Sequence, residues 1–200
     1  AGGRVVCVTA TRGEAADENA TAAERSELAL VRTGELEKAF IELGVQEHHW
    51  LDLPDGSLAA IDESGPVGRL TTLLDDVSPD TVLTFGPDGV TGHPDHRTVS
   101  RWVRLAVDRS STCPRILHPV GTGRGIEFDL AREFDMWALG GPRQCPKEMV
   151  ALRIDLDGAE LDRKVRALLA QRSQTADLAA AIGLERYRTW VSVETYAHPA

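Results

Sequence analysis

Two imidazoles and a carboxylate fall within four residues, His93-Pro94-Asp95-His96, and form the densest set of chemically capable side chains in the sequence. Imidazole is the commonest protein ligand for zinc, and a carboxylate can ligate the metal or orient a ligating histidine. Pro94 stiffens the turn and suits the first position of a helix. The two histidines are then close together at a helix start but on different sides of the backbone. One can face a metal while the other faces a bound substrate. Asp95 could accept an imidazole N–H and raise its pKa, which suits a general acid. The same tetrad also suits a structural role, a helix start with Asp95 at the positive end of the helix dipole. Taken alone, the motif leaves both readings open.

A catalytic zinc ordinarily takes three protein ligands and a water, so the tetrad cannot complete a site. His48 and His49 are adjacent at a strand and would point to opposite faces, so at most one could reach a site. His118 sits at a strand end before Pro119, and His198 is close to the last residue. All four are expected in surface or packing roles. Cys7, Cys113 and Cys145 are odd in number and far apart, matching neither a disulfide framework nor a CxxC zinc site. Cys7 is expected as a small core residue, and the thiols favour a reducing, cytoplasmic setting.

The elements that must position the tetrad read as alternating strands and helices. Arg4–Thr9 is a short β-branched run, and Glu24–Leu43 is the clearest helix, stopped by Gly44. A strand around His49–Leu53 leads into a Pro54-Asp55-Gly56 turn. A second helix opens near Pro66, with Val67, Leu70, Leu73, Leu74 and Val77 on one side. Thr81–Phe85 is a buried strand that delivers its carboxyl end, through a Gly86–Gly92 loop, to the tetrad and a third helix. Later come strands at Arg115–Leu117 and Met149–Leu156, and a helix from Ala159 to Ser173 with Asp157 and Glu160 at capping-box spacing. A closing strand is expected over Thr189–Tyr196. Residues 121–146 are rich in Gly and Pro and read as a loop or flap. The alternation implies an α/β class: a Rossmann-like, doubly wound, mostly parallel sheet in one domain over 1–200. In such sheets ligands sit beyond the carboxyl ends of the strands.

Composition sets the outer bounds. Apolar residues make up 42% and charged residues 26%, which is globular composition. A formal net charge of −9, with basic and acidic residues interspersed, argues against nucleic acid as a partner. The longest apolar runs are only a few residues, too short to span a bilayer, so no membrane partner is expected. No GxGxxG or Walker A pattern follows any strand, which argues against a nucleotide-binding protein.

With these residues in view, the chain resembles the PIG-L/LmbE-like deacetylase family, which includes mycothiol-pathway deacetylases and amidases. The likeness runs through Val5–Glu14 (VVCVTATRGE), Arg32–Val45 (RTGELEKAFIELGV), Leu51–Leu58 (LDLPDGSL), Pro79–His96 (PDTVLTFGPDGVTGHPDH) and Lys164–Gln174 (KVRALLAQRSQ). It implies a zinc-dependent hydrolase that removes acyl groups from amino sugars, with an N-acetylglucosaminyl compound or glycoconjugate as the small-molecule substrate. His96 is then a Zn2+ ligand, and His93 the catalytic group that stabilises the oxyanion or protonates the leaving amine, oriented by Asp95. Arg32 and Asp55 are implied substrate contacts, set against a solvated helix charge and a turn residue respectively. The family's pattern opens with a His-Pro-Asp-Asp-Glu motif that gives two zinc ligands and the base, and these 200 residues contain no such motif. The resemblance therefore implies a first strand and helix upstream of Ala1, disordered or removed, rather than a degenerate relative. The alternative is a catalytically inactive sugar-binding or interaction protein on the same fold.

Overall fold

A computed structural model describes residues 3–123, 130, 133–134 and 137–200. The chain falls into two compact units, Ala1–Gly56 with Asp155–Ser192, and Ser57–Ile154 with Val193–Ala200. The architecture is mixed α/β. No described helix is long and apolar enough to cross a membrane.

In the first unit, strand β1 (Val6–Thr9) leads through helix α1 (Ala22–Leu43) to strand β2 (Glu47–Trp50), which pairs parallel to β1 in the register Val6↔Glu47 to Thr9↔Trp50. The helix begins earlier than Glu24 because Thr21 and Glu24 form a reciprocal capping box. The Thr21 N–H donates to Glu24 Oε2 at 2.8 Å and the Glu24 N–H to Thr21 Oγ1 at 3.3 Å. Gly44 ends it in the left-handed region at φ 73°. Against α1 packs α4 (Gly158–Ala170), followed by α5 (Arg172–Ile182) and α6 (Leu184–Val191). Ala39, Val165, Ala167, Ala179, Ile182 and Tyr187 are buried in this unit.

Several expectations fail here. The single helix to Ser173 stops at Ala170, and a new helix starts at Arg172. The buried Glu35 carboxylate on α1 explains the restart, accepting the Ser173 N–H at 2.8 Å and its hydroxyl at 2.6 Å in the first turn of α5. Asp157 stands at the N-cap of α4 but makes no side-chain cap bond. The expected strand over Thr189–Tyr196 is helix as far as Val191. Cys7 is half-buried rather than a core residue.

In the second unit, α2 (Ser64–Val77) precedes β3 (Thr81–Leu83), α3 (Pro94–Arg109) and β4 (Arg115–Pro119). Strands β5 (Leu152–Asp155) and β6 (Val193–Ala197) complete a sheet in the order β3-β4-β6-β5. β3 and β4 are parallel, Thr81 opposite Arg115, whereas β6 runs antiparallel to β4, Ala197 opposite His118. Helix α2 packs on α3, and Val67, Leu70, Trp102 and Ala106 are buried there. Within the expected loop or flap over 121–146, residues 124–129, 131–132 and 135–136 lie outside the described residues. The flanks are tied together, the Gly121 N–H donating to Arg143 O and the Cys145 N–H to Gly121 O.

Candidate functional site

The tetrad in the second unit is assembled by a loop of left-handed residues. After β3, Gly89, Val90 and Gly92 all have positive φ, at 71°, 63° and 77°. Val90 is the costly one, because a β-branched side chain rarely adopts that region. Gly92 has no substitute, since a Cβ there would land on the Leu139 carbonyl. The loop turns the backbone so that His93 becomes the N-cap of α3 and Pro94 its first residue.

Capping settles the proton positions. His93 Nδ1 accepts the backbone N–H of Asp95 at 3.2 Å. An accepting Nδ1 carries the lone pair, so in the neutral ring the proton is on Nε2. His96 is held the other way round. Its Nδ1 lies 2.9 Å from the Gly89 carbonyl, which can only accept, so Nδ1 carries a proton and, in the neutral ring, Nε2 the lone pair. Thr91 Oγ1 is 3.3 Å from the same nitrogen. The His96 ring stacks on Phe85 at 4.1 Å and 4°, which fixes its plane.

Asp95 is 5% exposed, and its Oδ1 accepts the Leu58 N–H at 3.0 Å. Its backbone N–H donates to His93 Nδ1. The carboxylate thus anchors the first turn of α3 to the 3-10 turn at Leu58–Ala60. Among the described residues no group of three or more His, Cys, Asp or Glu could hold a metal ion. With Nδ1 hydrogen-bonded to the Gly89 carbonyl, His96 Nε2 is the ring nitrogen with the chemistry to ligate a metal.

Arg32 and Asp55 belong to the first unit, in a cluster at the end of β1. Asp55 accepts the Thr11 hydroxyl at 2.8 Å and the Ala15 N–H at 3.0 Å, and its own N–H donates to Glu14 Oε1 at 3.0 Å. Asp55 thereby holds the loop that carries Gly13 and Glu14. An Arg32 Nη1–H donates to the Gly13 carbonyl, and a Cβ at Gly13, where φ is 71°, would collide with the guanidinium. Among the described residues, Arg32 Nε and Glu14 Oε2 are buried with no hydrogen-bond partner. A buried orphan calls for a water, an ion or a ligand. Glu14 closes the VVCVTATRGE segment, and no local pattern there marks its side chain.

Of the remaining histidines, His49 and His198 are exposed, whereas His48 and His118 are packed. His48 Nε2 is 2.9 Å from Thr9 Oγ1, and its ring lies against Phe40 and Trp50 at 4.8 and 4.7 Å. Burial, then the charges of His49 and Arg12, lower its pKa. His118 is buried in β4, and burial followed by the Arg143 charge lowers its pKa.

The family model described as PIG-L: GlcNAc-PI de-N-acetylase matches residues 1–107. A 1D-myo-inositol 2-acetamido-2-deoxy-alpha-D-glucopyranoside deacetylase of Saccharomonospora viridis is 29% identical over 202 residues, covering 86% of this chain and 75% of that protein. The protein of the same description from Kineococcus radiotolerans is 31% identical over 165 residues, 68% of this chain and 44% of its own length. The chain thus spans three-quarters of the first relative and under half of the second. Among solved structures, an N,N'-diacetylchitobiose deacetylase from Pyrococcus horikoshii, complexed with its inhibitor MPG, superposes with a TM-score of 0.54 at 22% identity, covering 90% of this chain and 63% of that one. The conserved protein TT1542 from Thermus thermophilus does so at 0.58 and 22% identity, covering 96% and 80%. At this identity the likeness is one of fold.

Proposed function

We infer the activity from one premise: the chain belongs to the PIG-L (GlcNAc-PI de-N-acetylase) family. The reaction proposed is zinc-assisted hydrolysis of an N-acetyl amide on an amino sugar, with an N-acetylglucosaminyl conjugate as substrate. The observation that carries it is the opposite tautomers of His93 and His96 on adjoining positions of one helix start. His96 offers the Nε2 lone pair that would hold the metal. A zinc ion held there would supply Lewis acidity and a water of lowered pKa.

The chain's own residues do the rest. His93 Nε2–H is a donor for the oxygen that gains charge as the amide carbonyl becomes tetrahedral. The departing amine takes its proton from the base that the resemblance implies, which has received it from water, because the neutral His93 ring holds a single proton and its loss would leave an imidazolate. Asp95 positions the first turn of α3, and so both rings, through its bond to Leu58. The resemblance makes Arg32 and Asp55 substrate contacts, and within the first unit Asp55 holds the loop that carries Gly13 and Glu14. The resemblance assigns the other two metal ligands and the base to the His-Pro-Asp-Asp-Glu motif. Three cysteines without disulfides suit a cytoplasmic setting.

The test is acetate release from N-acetylglucosaminyl-inositol and from N,N'-diacetylchitobiose, with zinc content and intact mass measured on the same sample. Release from either amino sugar, dependent on added zinc and abolished by chelation, is expected. A sample that retains stoichiometric zinc but releases acetate from neither would overturn the proposal.

A further inference from the structure

The second unit contains a cavity of about 550 Å³ that the proposed hydrolysis does not use. Arg97, Arg101 and Arg104 are spaced four and three residues apart on α3, so one face of the helix presents all three. Arg143 joins them from the segment before Cys145, and Leu105 and Ile116 contribute apolar surface. Pro199 and Ala200 also border the space.

Charge distinguishes this cavity. Arg101 pairs with Glu63 at 2.9 Å and Arg104 with Asp108 at 3.3 Å. Among the described residues no carboxylate pairs with Arg97 or Arg143. Arg97 Nε–H points to the Asp88 carbonyl at 3.4 Å, and an Arg143 Nη2–H donates to the His198 carbonyl at 2.8 Å. Asp88 is the one acidic side chain among the described lining residues, and its two oxygens already accept the N–H groups of Val90 and Arg143. His118, 7% exposed, also lines the space. Burial first and then the Arg143 charge lower its pKa, with Asp88 opposing them.

We propose that this cavity binds a small phosphorylated molecule, its phosphate held by Arg97 and Arg143 and its carbon skeleton resting on Leu105 and Ile116. A phosphate monoester carries close to two charges, enough to compensate two guanidinium groups, and the planar fork of each suits bidentate contact with its oxygens. The volume is that of a small-molecule pocket and exceeds what a bare ion fills. The inference is independent of the deacetylase reading, because it concerns neither metal nor amide.

Thermal unfolding of the full chain tests it, with inorganic phosphate, glucose 1-phosphate and glucose each compared against chloride at matched ionic strength. A ligand that binds only the native state raises Tm by mass action. Glucose 1-phosphate is expected to raise Tm most, phosphate less and glucose not at all. Arg97→Gln and Arg143→Gln should each remove most of the shift, while Arg109→Gln, which deletes the same charge at a position outside the lining, should keep it. No shift with either phosphate, or a shift undiminished in both lining variants, would overturn the site. Equal shifts with phosphate and glucose 1-phosphate would overturn the role given to Leu105 and Ile116. None of these readouts depends on zinc content or acetate release, so failure here leaves the deacetylase proposal intact, and the converse holds.

Discussion

His93 and His96, with ring centroids 5.1 Å apart, are locked in opposite tautomers by two backbone groups, the Asp95 amide and the Gly89 carbonyl. One ring therefore presents a proton at Nε2 and the other a lone pair. That division of labour comes from a helix cap and a left-handed loop, with no charged partner needed to set it.

Substituting the two rings should separate their roles. His96→Ala is expected to lose bound zinc, measured by elemental analysis, and with it all activity. His93→Ala should keep its zinc and lose turnover by about 100-fold or more, the usual scale for a proton donor or an oxyanion-hole group. Zinc retained in the first variant, or lost in the second, would reverse the assignment.

The orphaned atoms of the first unit predict a binding defect. Glu14→Gln and Arg32→Lys should raise KM for the amino sugar by about 10-fold, the scale of one buried hydrogen bond, with zinc content unchanged. A fall in kcat at constant KM would place these residues in the chemistry instead of in substrate binding.

Two histidines should shape the acid limb of stability. The folded pKa values of His48 and His118 both lie below their ordinary 6.5. The unfolded chain therefore takes up protons first as pH falls. Their contribution is complete above about pH 6.5 and is lost as pH drops through the folded values. Urea midpoints of His48→Gln and His118→Gln should fall less steeply below pH 6.5 than that of the parent protein. Parallel curves for all three would remove both groups from the acid transition.

Trp102, 1% exposed on α3, ties the tetrad to the core of the second unit. Trp102→Ala should cost about 3–5 kcal/mol of unfolding free energy in denaturant titrations. A loss below about 1 kcal/mol would mean that α3 is not held by this contact.

The order of strands and helices, the His-Pro-Asp-His helix start and the family were legible in the residues, because period, turn chemistry and short motifs act over a few positions. So was the pairing of Gly44 with the end of α1. The helix break near Gln171 was not, since it depends on the Glu35 carboxylate meeting Ser173 across 138 positions. Nor was the helical state of Thr189–Val191, where β-branched and aromatic types favour a strand locally but the chain packs them in α6. The imidazole tautomers, the orphaned Glu14 oxygen and the grouping of Arg143 with three arginines of α3 are likewise tertiary facts. Each requires backbone or side chains brought together from segments far apart in sequence, and no local pattern encodes such a meeting.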